Sequence, residues 1–169
     1  NGYIYWWTGT PTINNNGIWN INTAGYGTWY YYSYGIVNNA GTINKTGANI
    51  TYLNYLVSST NSGAINVLDG SLILQYSALS NSGNIYTNTG TIFNIGTGSS
   101  FTNAAAGTLS GNGTFQMDVA FVNNGTIAPG ASPGNLTVNG APPFSATSLY
   151  SLEMFDGSGL KLKSLISCR

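Results

Sequence analysis

Apolar residues along this chain alternate with polar ones at a period of two. Ile65 and Val67, Leu72 and Leu74, Leu136 and Val138, and the run Phe115, Met117, Val119 and Phe121 all follow this rhythm. Side chains that recur at every second residue lie on one face of a strand, so each segment predicts a short β-strand with one face inward. No segment keeps apolar residues at i, i+3, i+4 and i+7 for three turns, and Gly or Asn interrupts every window. Helix is excluded as a major element.

The strands are punctuated by a recurring phrase: NNAGTIN at Asn38–Asn44, NSGAINV at Asn61–Val67, NSGNIY at Asn81–Tyr86 and NNGTIA at Asn123–Ala128. Aligned on its glycine, the phrase falls at Gly17, Gly41, Gly63, Gly83, Gly107 and Gly125, at intervals of 24, 22, 20, 24 and 18 residues. A near-constant period of this length predicts a parallel β-solenoid, all-β, of about six stacked coils. Gly41, Gly63, Gly83, Gly107 and Gly125 are then corner positions, where Gly and Asn accept positive φ at little cost. The residue after each glycine (Thr42, Ala64, Asn84, Thr108, Thr126) faces out, and the next (Ile43, Ile65, Ile85, Leu109, Ile127) faces in. Stacking puts like on like: an aliphatic column inside, with Asn and Thr ladders along the corners. Six coils at the inter-strand spacing make a rod of about 29 Å. A meandering antiparallel sandwich with Asn-Gly hairpins also fits these turns and short strands; the regular spacing favours the solenoid. The chain divides into an aromatic-rich N-terminal end with the first coil (1–35), the repeats (36–140) and C-terminal closing strands (141–169).

Composition adds an unusual surface. Hydrophobic residues make up 42% of the 169, enough for a real core, but charged residues only 5%, against roughly 25% in average soluble proteins. Gly and Asn each occur 23 times. Such a neutral, amide- and hydroxyl-rich surface favours contact with itself or with neutral polymers such as glycans. Lys45 is the only base in the first 160 residues, against Asp69, Asp118, Glu153 and Asp156. No stripe of bases exists to neutralise phosphates, which argues against a nucleic-acid partner. No run of about 18 apolar residues predicts a membrane span.

Catalytic chemistry finds little to work with. There is no His, and the only Arg is Arg169, so no Ser or Cys nucleophile has its usual base. Cys168 has no activating neighbour and no partner for a disulfide within the chain. Glu153 and Asp156 are close in sequence, but LEMFDGSG reads as a strand running into a Gly turn. No Cys/His cluster and no Asp-rich loop predicts a metal site. GTGSS at Gly96–Ser100 lacks the Lys of a phosphate loop. The expectation is no enzyme, no cofactor and no metal.

Binding has better candidates. GYGTWYYYSYG, Gly25–Gly35, holds Trp29, Tyr30, Tyr31, Tyr32 and Tyr34, more aromatic surface than one strand face can bury. Alternation sends Trp29 and Tyr31 one way and Tyr30, Tyr32 and Tyr34 the other. Three roles fit: a cap on the open N-terminal end, a self-association contact, or a platform for sugar rings. Thr42, Thr108 and Thr126, with Thr91 and Thr114, read as a corner ladder; Ala64 and Asn84 break the regularity that an ice-binding row needs. Five N-x-S/T sequons, at Asn44, Asn49, Asn112, Asn124 and Asn135, are expected from composition alone.

NNGTIAPGASPGNLTVNG, Asn123–Gly140, resembles the GTI-x-PG-x-SPG-x-LT motif near the end of passenger-type repeats in bacterial autotransporter adhesins and related secreted surface proteins. WWTGTPTINNNGIWNINTAGYGTW, Trp6–Trp29, is similar to the Trp-Thr-Gly…Trp-Asn…Ala-Gly segment that often begins them. The resemblance covers about residues 3–155 and implies secretion and a right-handed parallel β-helix. After Asp156 the chain departs from it, with LKLKSLISCR in place of further repeat strands.

Together these features predict a non-enzymatic extracellular protein, structural or adhesive, that associates with itself into a fibre, matrix or surface layer. The alternative is a monomeric adhesin module that binds a polysaccharide or cell surface. No helical or charged cap stands at Asn1–Thr10, so end-to-end or strand-donating association is the expected mode. In the tail, Ser148–Phe155 and Leu160–Ile166 alternate again and predict a hairpin that closes the last coil, turning at Asp156–Gly159.

Overall fold

The alternating segments form short strands because Gly, Asn and Ser interrupt each one before a longer strand or a helix can develop. The computed structural model describes residues 4–5, 9–22, 27–30, 34–130, 134–140, 149–155 and 161–167, with the backbone alone for 4–5, 27–30, 149–155 and 161–167. After β1 (Ile4–Tyr5) come β2 (Thr12–Asn15), β3 (Ile18–Asn22), β4 (Gly27–Tyr30), β5 (Ile36–Asn39), β6 (Thr42–Thr46) and β7 (Ile50–Asn54). The middle of the chain gives β8 (Ser59–Asn61), β9 (Ala64–Val67), β10 (Ser71–Gln75), β11 (Ala78–Asn81), β12 (Asn84–Thr87) and β13 (Ile92–Ile95). Next are β14 (Ser100–Asn103), β15 (Thr108–Gly111), β16 (Thr114–Met117), β17 (Val122–Asn123), β18 (Thr126–Pro129) and β19 (Thr137–Asn139). The tail forms β20 (Leu149–Phe155) and β21 (Lys161–Ser167).

Every third strand pairs, in parallel, with the one a coil away. The result is a six-stranded sheet (β2-β5-β8-β11-β14-β17), an eight-stranded sheet (β3-β6-β9-β12-β15-β18-β20-β21) and a seven-stranded sheet (β1-β4-β7-β10-β13-β16-β19). The chain passes through the six-stranded sheet six times, so five steps carry it from first coil to last. This is the parallel β-solenoid, and the antiparallel sandwich is ruled out for the repeat. The one antiparallel pair among the described strands is β20 with β21, where the tail's alternation becomes a two-strand extension laid parallel on β18 through Thr126↔Leu149 and Ile127↔Tyr150.

Inward positions make one continuous core. Ile43, Ile65, Ile85, Leu109 and Ile127 stack in register along the eight-stranded sheet and are all buried. Toward the C-terminal end the core turns aromatic, with Phe93 packed edge-on against Phe115 at 5.8 Å and Phe101 tilted against Phe121 at 5.9 Å. The aliphatic N-terminal half leaves a cavity of about 20 Å³ between Val37, Ile43, Leu53, Leu72 and Leu79, large enough for one water but almost wholly apolar.

The corner between the six- and eight-stranded sheets carries the phrase that recurs in the sequence. One Asn per coil, two residues before the glycine in Asn15, Asn39, Asn61, Asn81 and Asn123 and four before it in Asn103, points inward and forms a ladder along the rod. Asn15 Nδ2 donates to Asn39 Oδ1 (2.6 Å), Asn39 to Asn61 (2.7 Å), Asn61 to Asn81 (2.7 Å), Asn81 to Asn103 (2.8 Å) and Asn103 to Asn123 (2.8 Å). Asn39, Asn61, Asn81, Asn103 and Asn123 are buried, so these bonds are what make a buried amide column tolerable.

The glycines at this corner serve a different purpose from the one expected. Gly41, Gly63, Gly83, Gly107 and Gly125 do not take positive φ, which belongs instead to others such as Gly70 (φ 65°) and Gly111 (φ 122°). What they need is the absence of a side chain. A Cβ on Gly41 would collide with the carbonyl oxygen of Gly17, one on Gly63 with that of Gly41, one on Gly83 with that of Gly63, and one on Gly125 with that of Gly107. Each glycine lets the next coil's backbone come within hydrogen-bonding distance, as in Asn84 N to Gly63 O at 2.9 Å. Steric contact between coils, not left-handed backbone, is the reason for the repeat.

The threonine row is also partly rearranged. Thr42, Thr108 and Thr126 do share an outward column with Ala64 and Asn84. Thr91 is instead buried and donates to the carbonyls of Val67 and Asn88, and Thr114 lies in the seven-stranded sheet.

Candidate functional site

The lone base of the repeat does not reach the surface. Lys45 sits at an inward position between Ile21 and Val67 and is 0% exposed. Its stem lies in the core, and its Nζ donates to the carbonyl oxygens of Gly47 (2.6 Å) and Asp69 (3.0 Å) at the corner. Burial pulls its pKa below 10.5, and the nearby Asp69 carboxylate partly restores it. Among residues with described side chains, the exposed charges are therefore Asp69 and Asp118 alone. Asp118 accepts from Asn94 Nδ2 (2.8 Å) and Gln116 Nε2 (2.7 Å), which leaves it a structural acceptor. Among the described residues no three His, Cys, Asp or Glu side chains come together as metal ligands, and no helix is long and apolar enough to cross a membrane.

A different corner, between the seven- and six-stranded sheets, holds aromatic side chains. Tyr55 follows β7 and Tyr76 follows β10, and their rings stack 5.2 Å apart at an interplanar angle of 8°. Tyr34, just before β5, meets Tyr55 edge-on at 6.2 Å. Beyond Tyr76 the place of a fourth ring is taken by Gly98, whose absent Cβ would come within 2.5 Å of the Tyr76 ring. Tyr34 is 56% exposed and Tyr76 48%. Tyr55 (φ 59°), Ser58 (φ 54°) and Tyr76 (φ 52°) are the non-glycine residues with positive φ among the described residues, so local backbone strain is concentrated here. Such conformations cost about 1–3 kcal/mol each and persist where surrounding structure imposes them.

Next to this corner the outer face of the six-stranded sheet is small and hydroxylated. Thr60, Ser80 and Thr102 stand in register on β8, β11 and β14, with Ser58, Ala78 and Ser100 two residues before them. Together they line a shallow groove of about 320 Å³ along the rod. Two outward amide ladders flank the corner phrase: Asn38 donates to Asn14 and Thr60 to Asn38, while Asn66 donates to Asn44 and Asn44 to Asn20.

Of the aromatic residues singled out in the sequence, the structure brings only Tyr34 into this site. Trp29 and Tyr30 belong to β4, where the backbone alone is described and pairs with β1; Tyr31 and Tyr32 lie outside the described residues. The other two members, Tyr55 and Tyr76, escape a search for local aromatic density because each stands alone in sequence. Their signal is the interval: Tyr34, Tyr55 and Tyr76 are spaced 21 and 21 residues apart, one coil each. Comparison with protein-family models, with curated proteins and with solved structures finds no match for this chain.

Proposed function

We propose that this is a non-enzymatic, secreted structural or adhesive protein whose uncharged faces associate with one another into a fibre, matrix or surface layer. The observation that carries this reading is the burial of Lys45, which leaves the repeat with Asp69 and Asp118 as its exposed charges. Flat β-faces with so little charge have almost no electrostatic repulsion to keep copies apart. The resemblance of Asn123–Gly140 to passenger-type repeats supports an extracellular setting of the bacterial surface kind.

The sheet ends support one mode of association over another. The eight-stranded sheet continues through β20 and β21 beyond the last coil, and the seven-stranded sheet begins one strand earlier with β1. End-to-end stacking meets the β20–β21 pair on the eight-stranded sheet, whereas side-by-side packing of the outer faces needs no strand exchange. Lateral association is the favoured mode. Negative-stain microscopy and light scattering of the purified full chain across a concentration series test the reading. Laterally bundled rods are the expected result; dispersed monomers at the highest concentration would sink it.

The second reading is a monomeric adhesin module, favoured by the exposed Tyr34 and Tyr76. It predicts glycan or surface binding without assembly.

A further inference from the structure

We infer that Tyr55 and Tyr76 form a site of oxidative cross-linking, at which a one-electron oxidant couples the two rings into an ortho-linked dityrosine that staples successive coils together. The inference goes beyond the association proposed above and stands whether or not copies of the chain assemble.

The pairing comes from the stacking of the coils. Asn54 and Gln75 are register partners on β7 and β10, so the residues that follow them, Tyr55 and Tyr76, meet one above the other at the corner. Both backbones turn left-handed there, with φ of 59° and 52°, so the two side chains leave in the same direction. Their rings lie 5.2 Å apart and 8° from parallel, near the spacing of about 4.8 Å between neighbouring strands. Nearly parallel rings displaced by one coil set like atoms opposite like, and the ring carbons beside the two phenol oxygens face each other. Other tyrosines with described side chains lack this arrangement. Tyr34 meets Tyr55 at 68°, an edge against a face. Tyr52 has Thr28 and Ile73 as register partners, and Tyr86 has Asn66 and Ser110.

Tyr76 is 48% exposed and Tyr55 half-buried, so an oxidant reaches the pair from solvent through Tyr76. Each phenol gives up one electron and its hydroxyl proton and becomes a phenoxyl radical, whose unpaired spin is shared with the ring carbons beside the oxygen. A single bond forms between Cε of Tyr55 and Cε of Tyr76. The hydrogen on each of those carbons then moves to its phenol oxygen, which restores both aromatic rings. The pair loses two hydrogen atoms in all; with hydrogen peroxide as the oxidant, they convert one peroxide to two waters. Holding the rings in contact makes the coupling an intramolecular step, whereas separated radicals must meet by diffusion. The new bond closes a loop of one coil and so restricts the unfolded chain, as any such cross-link does.

The test treats the full chain, at low concentration, with hydrogen peroxide and a haem peroxidase, and separates monomer from covalent dimer on a denaturing gel. The monomer should show dityrosine fluorescence. Cleavage before Asp69 and Asp118 should leave the fragment with Tyr55 joined to the fragment with Tyr76, whose only other tyrosine is Tyr86, and tandem mass spectrometry should place the bond on Tyr55 and Tyr76. Tyr76→Phe keeps a ring in the stack and should abolish the junction, while Tyr86→Phe should leave it intact. Far-UV circular dichroism checks folding, and Tyr55→Phe replaces Tyr76→Phe if that variant fails to fold. Oxidation should raise the Tm of the wild type by roughly 5–10 °C more than that of Tyr76→Phe. Absence of joined fragments in the monomer, a bond mapped to Tyr34 or Tyr86 instead, dityrosine confined to covalent dimers, or equal Tm shifts in the two proteins overturns the inference.

Discussion

Replacing Asn81 by Leu tests whether the buried amide ladder holds the coils together. Asn81 accepts from Asn61 Nδ2 (2.7 Å) and donates to Asn103 Oδ1 (2.8 Å) and to Gly83 O (3.2 Å). A leucine of similar volume removes all three bonds while filling the space. Gly83 O keeps the amide of Thr108 (2.8 Å), and Asn61 Nδ2 keeps long contacts to Asn84 O (3.3 Å) and Gly63 O (3.4 Å). Asn103 Oδ1 is left in the core without its donor. One orphaned acceptor costs about 1–3 kcal/mol and one weakened donor about 0.5–1.5 kcal/mol, so Asn81→Leu should destabilise by roughly 2–4 kcal/mol. Asn123 stands at the other end of the same ladder and accepts from Asn103 Nδ2 (2.8 Å), which keeps long contacts to Gly107 O (3.3 Å) and Thr126 O (3.4 Å), so Asn123→Leu weakens a donor without orphaning the Asn103 acceptor, and the expected cost is about 0.5–1.5 kcal/mol. Urea unfolding followed by circular dichroism, at a fixed low protein concentration, measures both. Equal midpoints for the two variants would refute the claim that the orphaned buried acceptor carries most of the cost.

Further expectations follow from the same geometry. Gly83→Ala should cost more than about 3 kcal/mol, because the new methyl meets the Gly63 carbonyl and strains the bonds from Ser82, Gly83 and Asn84 to the coil below; Gly17→Ala, with nothing within 4 Å of the new methyl, should change stability by less than about 1 kcal/mol. The pKa of Lys45 is lowered in the folded state, so below 10.5 the unfolded chain binds more protons and stability rises as pH climbs towards that value. Lys45→Met should flatten this rise, as read from Tm between neutral and alkaline pH. Gly98→Ala should displace the Tyr76 ring and alter the near-ultraviolet circular dichroism while leaving the far-ultraviolet spectrum intact. Deleting Ser148–Arg169 uncovers the edge of β18 and should promote non-native aggregation; unchanged solubility and Tm would show that β20 and β21 protect nothing.

Much of this architecture is legible in the sequence because a solenoid makes sequence period and spatial neighbourhood the same thing. Residues one coil apart are stacked, so the spacing of the GTI-type phrases locates the inward column of Ile43, Ile65, Ile85, Leu109 and Ile127 directly. Period-two alternation then assigns faces, since a strand has only two. The asparagine ladder is foreshadowed in the same way, by an amide recurring at each corner.

What the sequence left open depends on how the coils meet. The recurring glycines suggest left-handed turns when read locally; only the distance between stacked backbones shows that they exclude a Cβ. Lys45 stands in the sequence only as a lone base, and its burial is decided by a position facing the core and by carbonyls at Gly47 and Asp69 that come within its reach. Tyr55 and Tyr76 look unremarkable in sequence, because an aromatic stack forms across coils rather than along the chain. The hydroxyl groove is likewise a property of three strands in register. Alternation and period are one-dimensional and survive in the sequence, whereas clearance, burial and the meeting of side chains from successive coils arise only when the coils are stacked.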